Sequence, residues 1–120
     1  MVIFLDTYAI IAIDTKSASY EKYVGKDAVT SIFNLAEAYF VYLRKFSKKE
    51  ADEMYEITRQ IVIPIDDSII KEAMEFKLQQ LKKRLSFADC IGYVTALKLK
   101  AKFITGDYQF KDMENVEFVK

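Results

Sequence analysis

The sequence predicts an α/β fold built on a parallel sheet, and three observations carry that prediction. Short, nearly continuous apolar runs rich in β-branched and aromatic residues occur at 1–5, 61–65, 103–105 and 116–119, the pattern of strands buried on both faces. Between them lie longer stretches with apolar residues at helical spacing. Alternation of the two implies parallel strands joined by right-handed helical crossovers, and no internal repeat or low-complexity tract interrupts it.

In chain order, 1–5 is the first strand and Asp6 ends it. Residues 7–13 form a short buried helix capped by Asp6 or Thr7, followed by a polar stretch over 14–26. Residues 28–30 are a short strand, and Ser31 caps a helix to about Lys45 with Ile32, Leu35, Ala36, Tyr39 and Leu43 at helical spacing. Ser47 and Glu50 make a capping box for a helix running to about Gln60. Residues 61–65 are a strand, at an edge because Pro64 lacks an N–H donor. Asp66, Asp67 or Ser68 caps a helix over 69–84, whose apolar stripe includes Ile70, Ala73, Phe76 and Leu81. Ser86 and Asp89 repeat the start signal for a helix to about Ala101, and 103–105 and 116–119 are the last strands.

The chain has 120 residues and is 52% hydrophobic, enough for one core and too short for two, so a single domain over 1–120 is expected. Lys+Arg and Asp+Glu balance at 18 each, so any attraction to nucleic acid must be local. With His at 0 and Cys at 1, histidine catalysis, Cys/His zinc sites and internal disulfides are excluded, and catalysis would have to run on carboxylates. The lone Cys, with no leader-like start and no apolar run approaching the ~20 residues of a membrane span, suggests a soluble cytoplasmic protein. Neither GxGxxG nor GxxxxGK[ST] occurs, so no nucleotide cradle is expected.

The informative pattern is where the acids fall. Asp6 is the only charge over 1–13, Glu37 over 28–43, Asp89 over 85–97 and Asp107 over 103–110. No Lys or Arg occupies a comparably apolar window. Burying ionised carboxylates without partners costs several kcal/mol each, and clustering raises the cost. Two escapes exist: protonation with a raised pKa, or a bound divalent cation that takes oxygen ligands. Asp6 and Asp107 follow strands whose carboxyl ends line the edge where α/β sheets place ligands, which favours the cation. Each acid also has a plainer reading: Asp6 as a helix cap, Asp89 as part of a capping box, Asp107 as a turn residue after Gly106, Glu37 as an exposed mid-helix acid.

Val2-Ile3-Phe4-Leu5-Asp6-Thr7, Ser31 with Asn34-Leu35-Ala36-Glu37, Ser86-Phe87-Ala88-Asp89 and Ile104-Thr105-Gly106-Asp107 with Phe110 stand in an order and spacing that resemble the PIN-domain nucleases, and among them the VapC-type toxins of toxin–antitoxin pairs. The resemblance covers nearly the whole chain. It implies a three-layer α/β/α domain with a parallel sheet of about five strands in order 3-2-1-4-5, which makes Asp6 and Asp107 neighbours. It implies Mg²⁺ or Mn²⁺ held by Asp6, Glu37 and Asp89, with Asp107 on a second or weaker ion, Thr7 and Thr105 as supporting hydroxyls, and endoribonuclease activity. The ion would then do what a histidine base does elsewhere, by activating water and neutralising phosphate charge. The resemblance also implies a homodimer and a VapB-like antitoxin that masks the acids. Two departures stand out: Tyr8, where many members carry a smaller residue, is expected to narrow access, and Gly92 to soften the helix after Asp89.

RNA must be gripped by local charge, and Lys82, Lys83 and Arg84, just before the Asp89 helix, are the first candidates among three basic clusters. The others are Arg44 with Lys45, Lys48 and Lys49, and Lys98 with Lys100 and Lys102, and each of the three also has the plainer reading of a solvated helix end. Tyr39, Phe40 and Tyr42 crowd the Glu37 helix and serve the core or an interface. Two alternatives to a ribonuclease toxin are a housekeeping nuclease acting on RNA or DNA flap ends, and a catalytically silent interaction module on the same fold.

Overall fold

Asp6 sets the first boundary. Its carboxylate accepts the main-chain N–H of Ala9 at 2.8 Å, so the apolar run before it stays a strand, β1 (Ile3–Leu5), and the run after it becomes a helix, α1 (Thr7–Asp14). The same device recurs along the computed structural model, which describes residues 1–120. Ser31 caps α2 (Ile32–Lys45), Ser47 caps α3 (Lys48–Thr58), Asp66 caps α4 (Asp67–Gln79) and Ser86 caps α5 (Phe87–Leu99). Only the last is a complete capping box: Glu50 bonds the Ser47 hydroxyl at 3.0 Å, whereas Asp89 accepts the Ser86 main-chain N–H at 2.8 Å.

With β2 (Ala28–Val29), β3 (Lys102–Thr105) and β4 (Val116–Phe118), the strands form a fully parallel sheet of order β2-β1-β3-β4. The fifth strand expected over 61–65 is a single parallel bridge, Thr30 to Val62, on the outer side of β2. Thr30 donates to Ile61 and its carbonyl accepts from Ile63, and Pro64, with no N–H, lets the ladder go no further. The order 3-2-1-4-5 therefore persists with its first member reduced to one bridge. The helix expected over 69–84 stops at Gln79, because Leu78 and Leu81 find no core and lie 68% and 69% exposed. Residues 82–84 are loop as a result.

Alternation along the strands fills both sides of the sheet. Ile3, Leu5 and Ile104 pack with Ile10, Leu35 and Met54 on the side covered by α1 to α3, while Phe4 and Phe103 pack with Ile91, Tyr93 and Phe110 on the side of α5. α2 and α5, from opposite layers, meet beyond the carboxyl end of β1, and Gly92 permits the approach. A Cβ there would lie 2.9 Å from both Asn34 Oδ1 and the Phe4 ring, two fully buried side chains. Gly92 is thus a contact residue, and the softening expected of it is not its structural role. Gly92→Ala is expected to destabilise the protein by about 1 kcal/mol or more, overpacking outweighing the gain in helix propensity. A thermal melt checks this, and a higher melting temperature would contradict it.

Candidate active site

β1 and β3 are hydrogen-bonded neighbours, with Leu5 opposite Ile104, so the residues that follow them emerge side by side. Asp6 follows β1, its N–H bonded to Ile104 O at 3.3 Å, and Asp107 follows β3 after Thr105 and Gly106. Asp6 is 2% exposed. Asp107 is half-buried and accepts the N–H of Gln109 at 2.9 Å, closing the turn that leaves the sheet.

Glu37 reaches the same edge from α2. The Thr7 hydroxyl donates to Glu37 Oε1 at 2.6 Å, tying the residue after Asp6 to an acid thirty positions along the chain. Asp89 arrives from the first turn of α5, half-buried, its second role being the capping box at Ser86. The four acids thus come from four separate segments, and none of them forms a salt bridge, the chain's two ion pairs being Lys48–Asp52 and Lys98–Glu72.

Electrostatics record the crowding. Burial pushes the Asp6 carboxyl up to about 8, against the lowering effects of the Thr105 side chain and the Ala9 N–H, and the charges of Asp89 and Asp107 push it further. Asp89 is raised to about 6, first by burial and then, opposed by the Ser86 N–H, by the charges of Glu37 and Asp107. Asp6 therefore holds its proton at neutral pH in the ion-free protein. No three of the acids form a finished ion cradle in this conformation. The fit to a divalent ion lies in the donor chemistry: only hard oxygen ligands, no Lys or Arg paired to any of them, and a proton on Asp6 that an ion would displace.

Asp6, Asp89 and Asp107 each bond a main-chain N–H of a local turn, as the plainer readings expected, and each also lies near the other acids. Two positioning residues escape a search for charges. Ser31 donates to Asn34 Oδ1 at 2.6 Å, and Asn34 Nδ2 donates to the Thr7 hydroxyl at 3.3 Å, completing a buried chain of hydrogen bonds that ends on Glu37. The sequence marked Ser31 as a helix cap and Asn34 as a polar residue a helical turn before Glu37, but not the bonds that join them to Thr7. Tyr8 packs its ring into the space that a side chain at Gly106 would need, 2.2 Å from a Cβ built there. It is a wall of the Asp107 turn.

The basic clusters fare differently. Lys48 and Lys98 are drawn into the two surface ion pairs. The 82–84 loop is stitched to the turn after Asp107: Lys83 Nζ donates to Gln109 O at 2.8 Å, Gln109 Nε2 to Arg84 O at 3.0 Å, and Arg84 N to the Gln109 side chain.

The family model described as "PIN domain" matches residues 3–116. No curated protein matches the chain. Among solved structures, Mycobacterium tuberculosis VapC20, a Sarcin-Ricin loop cleaving toxin, is 17% identical at a TM-score of 0.82, covering 98% of this chain and 99% of its own. VapBC2 from Rickettsia felis, bound to a DNA fragment from its promoter, is 20% identical at a TM-score of 0.74, with 100% of each chain covered. VapBC-5 of M. tuberculosis is 19% identical at a TM-score of 0.70, over 99% and 98% of the two chains. At these identities the structural matches establish a shared fold.

Proposed function

The chain belongs to the PIN domain family, and on that premise we propose that it is a divalent-metal-dependent endoribonuclease, the toxin of a VapBC-type pair. The observation that carries this reading is an acid-only group drawn from four segments to the carboxyl edge of a parallel sheet, with no cation paired to any member. An evolved core keeps such a cluster only when something positive completes it.

Asp6, Glu37 and Asp89 would hold Mg²⁺ or Mn²⁺, with Asp107 on a second or weaker ion. When bound, the ion supplies positive charge to phosphate oxygens and activates water at neutral pH. The chain's residues do the rest. The Thr7 hydroxyl, fixed by Asn34, orients Glu37; the Thr105 side chain and the Ala9 N–H hold Asp6; burial of Asp6 keeps bulk water from screening the charges. Lys83 and Arg84, in the loop fastened beside the Asp107 turn, would meet the RNA backbone together with Lys82.

The antitoxin reading has two supports. The structural relatives include VapBC complexes. The Glu37 helix also carries Phe33, Phe40 and Leu43 on exposed positions, Phe40 at 60%, an apolar surface that a partner chain or a second copy would cover. The test is purified protein on single-stranded RNA with Mn²⁺ or Mg²⁺. Cleavage that stops in EDTA is expected, together with growth arrest when the protein is expressed without its partner; cleavage that persists in EDTA overturns the metal dependence, and normal growth overturns the toxin.

A further inference from the structure

Beyond the acids and the 82–84 loop, one more cation is built into the rim of the site. Lys120 Nζ donates to Gly106 O at 3.1 Å, one residue from Asp107. It also lies over two aromatic faces, 4.9 Å from the centre of the Tyr8 ring and 4.6 Å from that of Tyr108. The backbone leading to it is fastened on both sides: Val119 N donates to Thr105 O at 2.8 Å, the Tyr20 hydroxyl to Val119 O at 2.7 Å, and the Ser19 hydroxyl to Lys120 O at 2.7 Å.

Holding a lysine in one place costs side-chain entropy, and an exposed lysine meets that cost most often through a carboxylate. Lys120 has none: it forms no salt bridge, although it stands beside an acid-rich site. Its partners are a carbonyl and two ring faces, which orient the ammonium group without pairing it to a carboxylate. Tyr8 follows Thr7, and Tyr108 follows Asp107 and is 62% exposed, so the cage is made of residues next to the site's own. Lys83 donates to Gln109 O at 2.8 Å, so cations meet the carbonyls at both ends of the 106–109 segment that contains Asp107.

We propose that Lys120 is a substrate-binding residue of this site, gripping a backbone phosphate of single-stranded RNA beside the Gly106 end of the 106–109 segment, with Tyr8 and Tyr108 as the cage that aims it. This rests on the ribonuclease reading above. Cations at the two ends of the Asp107 segment hold neighbouring phosphates of the polyanion and offset the repulsion that an acid cluster exerts on RNA.

The test is binding of a fluorescently labelled single-stranded oligoribonucleotide of mixed sequence to the Asp89→Asn protein across a salt series, alone and with Lys120→Gln or Lys120→Arg added. Expected are several-fold weaker binding for Lys120→Gln and a slope of log affinity against log salt shallower by about 0.7, the value of one lost phosphate contact on a single strand. Lys120→Arg keeps both, and Lys83→Gln shifts the slope independently. RNA binding whose slope is the same with and without Lys120→Gln overturns the assignment and leaves the ribonuclease reading standing. Absence of salt-dependent RNA binding by the Asp89→Asn parent overturns the ribonuclease reading itself.

Discussion

Asp6→Asn is expected to melt at a higher temperature than the wild type at pH 8 in EDTA, and to cleave RNA at least about a hundredfold more slowly. The stability gain follows from the position of the proton. The Asp6 carboxyl sits at about 8 in the folded chain, well above its ordinary value of 3.8, and Asp89 at about 6. Each binds its proton more tightly folded than unfolded, so stability is highest below about pH 4 as far as these groups are concerned. It falls as pH rises, through 6 for Asp89 and toward 8 for Asp6. At pH 8 a neutral amide at 6 removes the cost of a buried charge, and a gain on the order of 1–3 kcal/mol is expected. At pH 5 folded Asp6 keeps its proton and only the unfolded chain has begun to ionise, so the gain is smaller than at pH 8, and it disappears below about pH 4. Asparagine still offers an oxygen to the Ala9 N–H, whereas Asp6→Ala loses the cap and is expected to fall about 1 kcal/mol below Asp6→Asn at both pH values. Melts of the three proteins at pH 5 and pH 8 settle the matter. If Asp6→Asn is equally destabilised at both, Asp6 is a structural cap and no crowded acidic site exists.

The second large effect is metal stabilisation. A Mn²⁺ titration of the wild type is expected to raise the melting temperature by roughly 10 °C once the ion reaches about 100 times its dissociation constant, the equivalent of about 2.7 kcal/mol for a domain of this size. Because the ligands must shed protons, the shift should be larger at pH 8 than at pH 5. Asp6→Asn and Asp89→Asn should shift little at either pH. A wild type that stays flat to millimolar Mn²⁺ at pH 8, with no RNA present, would contradict a site assembled before substrate arrives. Thr7→Val offers a finer reading of the same titration, since it removes the hydroxyl that holds Glu37 and leaves all four carboxylates in place.

Much of this was legible in the linear chain because it is local. The caps at Asp6, Ser31, Ser47 and Ser86 span three residues, and the box of Ser86 with Asp89 closes within one turn of helix, so composition at fixed offsets was enough to place them. Near-continuous apolar strands could only belong to a sheet covered on both faces, and the layers of Ile3 with Leu5 against Phe4 bear that out. Where local signals misled, tertiary support was missing: periodicity continued past Gln79, but Leu81 had nothing to pack against, and 61–65 had strand composition, but Pro64 ended its ladder after one bridge.

The sequence by itself determined the α/β class, the helix starts and the isolation of Asp6, Glu37, Asp89 and Asp107 from any basic residue. Those depend on residue type and short spacing alone. Only the tertiary structure decided what lies beside what: that Thr7 orients Glu37, that Gly92 lets α5 close on Asn34 and Phe4, that the 82–84 loop is stitched to Gln109, and that Lys120 comes to rest between Tyr8 and Tyr108. Each of these joins residues far apart in the chain. Their distance is set by strand order and by how closely two helical layers approach, quantities that come from packing the whole core and that no single stretch of sequence contains.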